Sequence, residues 1–115
     1  MVRANFFEKR SYPRFPVDVA LYYSIPERET FSNSRTHDIC SRGLCLFSDR
    51  ELPAGANVDL HLKMPDDESR IYRKGRVIWS RPVDDGKYRV GVKLEDPGLK
   101  PIPIVLRTLI AQNDY

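Results

Sequence analysis

Arg10 and Arg14 stand four residues apart in "EKRSYPR", and Asp38, Cys40 and Gly43 follow in "HDICSRGLCLF". Two planar guanidinium groups can each take phosphate oxygens, or the O6/N7 edge of guanine, through paired hydrogen bonds. A carboxylate at Asp38 supplies the complement, because it can accept two hydrogen bonds from the N1–H and N2–H edge of a guanine. Gly43 allows a backbone turn or a close ligand approach that a side chain would block. Pro13 and Pro16 keep the arginine-bearing segment extended or turned, so that both guanidinium groups can curl round one ligand. Together these residues describe an anion- and base-reading site for a guanine nucleotide with more than one phosphate.

The charge distribution agrees with a small anion. The net charge is +3, and the whole excess sits in residues 1–14, where Arg3, Lys9, Arg10 and Arg14 face Glu8 alone. A protein that tracks a polyanion spreads its Lys and Arg over a face. The chain has 115 residues, enough for one core and little more, and its 41% hydrophobic, 30% charged composition is that of a globular domain. No apolar run approaches the roughly 18 residues of a membrane span, and the N-terminal "FF" falls short of a signal peptide, so a cytoplasmic address is expected by default.

Other chemistries find little support. Cys40 and Cys45 read as positions on one strand, about 17 Å apart at a rise of about 3.4 Å per residue, too far for a disulfide. His37 and His61 lack a Cys-x-x-Cys or i,i+4 partner and read as surface strand positions, so no metal site is expected. There is no nucleophile elbow, Walker loop or dinucleotide-binding glycine pattern, and no enzyme is expected.

The elements that must position these groups have an apolar period of two almost throughout. Val17, Val19, Leu21 and Tyr23 share one face of a strand, as do Val58, Leu60, Leu62 and Met64, and then Tyr88, Val90, Val92 and Leu94. Asp85-Gly86 marks a hairpin between the last of these and "RIYRKGRVIWS", in which Val77 and Trp79 are expected to face inwards. "ETFSNSRTHDI", polar and half exposed, and "GLCLFS" complete a set of about six. Six short strands with few exposed apolar faces predict a closed antiparallel barrel, since closure removes the edges. Near the end the period changes: Ile102, Val105, Leu106, Leu109 and Ile110 recur at helical spacing, with Pro101 and Pro103 in the first turn. The expectation is an all-β, six-stranded antiparallel β-barrel with a C-terminal α-helix. It is a single domain over 1–115, divided into an arm (1–15), a barrel (16–96) and a helix (99–112).

The sequence resembles the PilZ domain family, bacterial receptors for cyclic di-GMP. The family pattern, R-x-x-x-R ahead of the first strand and then [D/N]-x-S-x-x-G, is met by Arg10 and Arg14 and then by Asp38, Cys40 and Gly43. "KGRVIW" and "YRVGVKLED" resemble the family's closing strands, so the likeness runs from about residue 8 to about residue 110. It implies a barrel whose arm folds over the nucleotide and binding roles for Arg10, Arg14, Asp38 and Gly43, with Lys9, Ser11 and Arg42 as secondary candidates. Cys40 departs from the pattern's Ser. A thiol hydrogen-bonds more weakly than a hydroxyl, so affinity should fall by up to about tenfold without being abolished.

Three function classes follow. The first is a stand-alone receptor for cyclic di-GMP, with no other cofactor, that signals through contact with a downstream protein as its arm becomes ordered. The second is a nucleotide-independent adaptor of the same family. The third is a barrel binding single-stranded nucleic acid on Tyr12, Tyr22, Tyr72 and Phe47, which the charge distribution argues against.

Overall fold

In the computed structural model the described residues are 13–28, 30–67 and 69–112. Lys9, Arg10, Ser11 and Tyr12 lie outside them. Six strands run β1 (Ala20–Ile25), β2 (Thr30–Cys40), β3 (Gly43–Ser48), β4 (Asn57–Lys63), β5 (Arg70–Pro82) and β6 (Tyr88–Leu94), followed by helix α1 (Pro101–Gln112). All pairings are antiparallel, and the barrel closes in the order β1-β2-β3-β6-β5-β4.

Alternation produces the barrel as the pattern predicts. Val19, Leu21 and Tyr23 face inwards, as do Val58, Leu60, Leu62 and Met64, and Val90, Val92 and Leu94. At the closing seam Leu21 pairs with Leu62 and Tyr23 with Leu60, so both strands put apolar side chains into one core. Removing a side chain such as Leu62, which is wholly buried, would cost about 2 to 5 kcal/mol. The β5–β6 hairpin turns where Asp85-Gly86 requires it. Asp85 and Gly86 take φ of 65° and 69°, the left-handed region that Asp, Asn and Gly tolerate best.

Two departures from strict alternation shape the outer face. The register slips by one residue between Thr36 and Asp38 on β2 against β3, and again between Val77 and Trp79 on β5 against β6. Such a bulge leaves an extra residue on one strand and re-aims the side chains beyond it. Trp79, expected inside, is therefore turned to the outer face, while Val77 remains in the core. Cys40 and Cys45, expected on one strand, sit instead on β2 and β3, on either side of the Ser41-Arg42 turn, and both are free thiols.

The helix is rotated differently from its apolar periodicity. Ile104 and Thr108 are buried, whereas Ile102, Leu106, Leu109 and Ile110 are exposed. Nearly every face of α1 is apolar, so the pattern does not choose a side, and a specific anchor does. Arg107 donates through Nε and Nη2 to both oxygens of Asp66 at 2.8 and 2.7 Å, and through Nη2 to Asp67 at 2.7 Å, in the β4–β5 loop. Ahead of the helix, Gly98 (φ 69°) packs against the Ser41 carbonyl, where a Cβ would come within 2.2 Å of the oxygen. Leu99 N donates to that same oxygen at 2.9 Å. No helix among the described residues is long and apolar enough to cross a membrane.

The Arg107 guanidinium holds the Asp66 carboxyl down at about 2. A carboxylate whose folded pKa lies below its unfolded value of about 3.9 stabilises the fold above that value and loses the contribution as pH falls through the folded pKa. Arg107→Ala should therefore lower the melting temperature at pH 5. The gap between variant and wild type should narrow as the pH falls from about 4 to about 2. A gap that stays constant over that range would show that the ion pair does not anchor the helix.

Candidate functional site

Asp38 reaches the outer face only because of the bulge at the middle of β2. Before the slip Thr36 pairs with Leu46 and points inwards; after it Asp38 pairs with Cys45 and Ile39 with Leu44. Leu44, Leu46 and Ile39 are core residues, so Asp38 and Cys45 share the opposite, outward face. The bulge also puts His37 beside its sequence neighbour, with His37 Nδ1 2.7 Å from Asp38 Oδ2. In a regular strand adjacent side chains would point to opposite faces.

Arg14 is brought to the same place from the other side. Phe15 makes an antiparallel bridge to Ile39, its N–H donating to Ile39 O at 2.8 Å and its carbonyl accepting from Ile39 N at 3.0 Å. Phe15 packs against the core. The exposed Arg14 is therefore directed outwards, in register beside Cys40. Arg10, Lys9 and Ser11 lie outside the described residues. Arg14 and Asp38, chosen from residue type and spacing, and Cys40, which stands at the serine position of the family motif, thus converge on one outer face. Cys40 is half-buried at the end of β2.

Gly43 begins β3 directly after the Ser41-Arg42 turn. A Cβ there would lie 2.3 Å from the Val92 carbonyl oxygen, so the missing side chain lets β3 start against the β6 backbone. The Ser41-Arg42 turn before it is pinned by two carbonyls. Ser41 O accepts from Leu99 N, and Arg42 O accepts from Leu94 N at 2.8 Å. Arg42 itself reaches Asp96 at 3.3 Å. The hairpin is a fixed platform beside Asp38.

Five residues of this face were not singled out from sequence as site residues. Arg89, on β6 next to the core residue Val90, has Nη2 3.5 Å from His37 Nδ1 and a buried Nε without a hydrogen-bond partner. Cys45 is buried beneath it. Burial pushes its thiol pKa up, and the hydrogen bond and charge of Arg89, together with the charge of Arg14, act in the opposite direction. Trp79 lies flat on Gly91, where a Cβ would stand 2.4 Å from the indole Cε2, and Arg81 sits 4.7 Å over its ring. His37 completes the set and packs edge-on to Phe47 at 5.8 Å. Only the Gly91 signal was available beforehand, since a glycine inside an apolar strand often marks a close approach.

Beside this face, β2 and β3 diverge around a cleft of about 530 Å³, with Ser34, Arg35, His37, Phe47 and Lys87 among its walls. Its fixed charges are already paired, Arg35 with Asp18 and Lys87 with Asp49. Two of the aromatic residues named for nucleic-acid stacking, Tyr22 and Tyr72, already make ring contacts. Tyr22 stacks on His61 at 4.6 Å, His61 meets Tyr72 at 4.9 Å, and Arg70 lies over Tyr22 at 5.2 Å.

The chain is similar in fold to several solved structures. It matches the c-di-GMP-containing PilZ domain of YcgR from Escherichia coli with a TM-score of 0.64 at 13% identity, covering 90% of this chain and 92% of that one. The PilZ domain of CeSA from a cellulose-synthesizing bacterium matches with a TM-score of 0.54 at 11% identity, covering 85% and 92%. The Bacillus subtilis inhibitor of motility MotI/DgrA matches with a TM-score of 0.62 at 11% identity; 90% of this chain is covered but only 49% of that one, so this chain spans about half its length. No curated protein sequence matches. The PilZ domain model matches residues 8–112, and with the closed six-stranded barrel and terminal helix this places the chain in the PilZ domain family.

Proposed function

We propose that this chain is a receptor module for cyclic di-GMP, bound on the outer face of β2, β3, β5 and β6. The observation that carries the reading is the convergence of Arg14 and Asp38 on that face, one set by the Phe15–Ile39 bridge and the other by the β2 bulge. Arg14, with Arg10 from the arm, takes the phosphates. Asp38 exchanges its contact with His37 for the N1–H and N2–H edge of a guanine. Trp79 and Arg81 offer a flat stacking surface on the β5 side. The neighbouring cleft gives a ligand with two bases room for its second half.

Signalling follows from where the charge lies. A dianionic ligand neutralises Arg10 and Arg14 and draws the arm onto the platform formed by Asp38 and the 40–43 turn, which changes the surface offered to a downstream protein. The module acts by binding, in the cytoplasm, and catalyses nothing. A second reading, a nucleotide-independent adaptor, is favoured by one observation. The Asp38 side chain is only 11% exposed and already bonded to His37, so a ligand must first break that contact.

Isothermal titration of the purified chain with cyclic di-GMP, with GTP and oligo-dT as controls, separates the two readings; the receptor should bind cyclic di-GMP with at least micromolar strength. Arg10→Ala and Arg14→Ala should each weaken binding by about 1.5 to 3 kcal/mol, the worth of a charge-assisted hydrogen bond. Unchanged curves for both variants would remove this site from consideration, and absence of binding by the wild type would favour the adaptor.

Cys40→Ser tests the departure from the family motif. A hydroxyl restores a stronger hydrogen-bonding group in a similar volume, so binding should be unchanged or tighter by up to about tenfold. A substantial loss of affinity would mean that Cys40 serves packing and not the ligand.

Arm ordering has its own readout in hydrogen exchange. Between about Phe6 and Pro16, exchange should slow on adding saturating cyclic di-GMP, with little change in α1. Equal protection of the arm with and without ligand would end the ordering mechanism even if binding were found.

A further inference from the structure

We propose that His37, Asp38 and Cys45 form a binding site for a zinc-class divalent cation on the outer face of the β2–β3 pair. One ligand atom from each of these residues, an imidazole nitrogen, a carboxylate oxygen and a thiol sulfur, lies within 4.8 Å of the other two. The sequence conceals the grouping, because the spacing is i, i+1 and i+8 and two of the three are adjacent in the chain. The bulge makes it possible by turning His37 and Asp38 to one face opposite Cys45.

The donor set selects the metal. Sulfur and imidazole favour zinc, cobalt and their neighbours over magnesium and calcium, which prefer all-oxygen sites. Three protein donors leave a fourth tetrahedral position for water or another ligand. Bonds of about 2.3 Å to sulfur and about 2.0 to 2.2 Å to nitrogen and oxygen require donors roughly 3.3 to 3.6 Å apart. The widest separation must therefore close by about 1 Å and the His37–Asp38 contact of 2.7 Å must open by somewhat less, changes on the scale of side-chain rotation.

Charge balance also fits. On binding, the Cys45 thiol gives its proton to solvent, and thiolate plus carboxylate neutralise the divalent ion. Arg89 is the group in the way. It faces both His37 and Cys45, and the cation must drive it outwards. Its buried Nε has no hydrogen-bond partner to lose, and its contact with His37 Nδ1 is a long one at 3.5 Å. Arg14 opposes the cation from the other flank. The site does not depend on nucleotide binding, but the two share Asp38, so an ion seated here withdraws the carboxylate from a guanine edge.

Cobalt reports this site directly. Titrating the chelator-treated full chain, free of any histidine tag, with Co²⁺ should produce a near-ultraviolet thiolate-to-cobalt charge-transfer band that saturates with single-site stoichiometry and disappears when Zn²⁺ is added. Cys45→Ser should abolish the band and Cys40→Ser should leave it intact. His37→Ala, an exposed substitution that leaves the core untouched, should weaken Co²⁺ binding by at least about tenfold. If Cys45→Ser fails to fold by circular dichroism, the His37→Ala titration decides on its own. No thiolate band in the wild type, a band retained in folded Cys45→Ser, or His37→Ala binding like wild type would overturn the proposal.

Discussion

The register slip in β2 is the constraint on which the candidate functional face depends. A barrel strand with perfect alternation would send Asp38 into the core along with Thr36, where a carboxylate has no water and no cation to compensate it. One extra residue, His37, reverses the parity of everything after it. Ile39 then fills the interior, and Asp38 and Cys40 are presented outwards. The bulge in β5 does the same for Trp79. Both strands that flank the β3–β6 pair therefore change parity, and the groups they turn outwards gather over those two strands.

Two glycines keep that central pair flat enough to be covered. Gly43 brings the start of β3 against the Val92 carbonyl, and Gly91 gives the indole of Trp79 a bare backbone to lie on. Either Cβ would collide with atoms that have nowhere cheap to go: a carbonyl oxygen in one case, a ring wedged beneath Arg81 in the other. The outer face is shaped as closely as the core, although most of its residues are polar or charged.

The strands were legible in the sequence because runs of period two survive in β1, β4 and β6, and the Asp85-Gly86 turn because its residue types tolerate positive φ. Arg14, Asp38 and Cys40 were legible as a family motif. The reason they meet was not. A bulge is a choice about pairing between two strands and leaves no mark on the spacing within either one, so the spacing around Trp79 points inwards; Cys40 and Cys45 are parted by a different feature, the short Ser41-Arg42 turn between β2 and β3. The helix shows a second limit. With Ile102, Ile104, Val105, Leu106, Leu109 and Ile110 spread round α1, hydrophobicity does not select the buried side. The selection is made by Arg107 reaching Asp66 and Asp67, an ion pair some forty positions distant in the chain.

A closed barrel also restricts how binding at this face can be felt elsewhere. Every described strand edge is paired, so the sheet has no free strand to release or capture. The 40–43 turn does lead towards the helix, through the Ser41 carbonyl to Leu99 and the Arg42 carbonyl to Leu94. Those hydrogen bonds are already made, however, and Gly98 is packed against the same oxygen. Moving the turn would break backbone hydrogen bonds at about 1 kcal/mol each and disturb the packing of Leu94, Leu99 and Ile104 below it. The contacts on the open side cost far less to change: an exposed Arg14, an Arg89 with an unpartnered Nε, and the Asp38–His37 contact. A ligand arriving at the outer face would therefore rearrange side chains there at little cost, while the barrel and its helix act as the support.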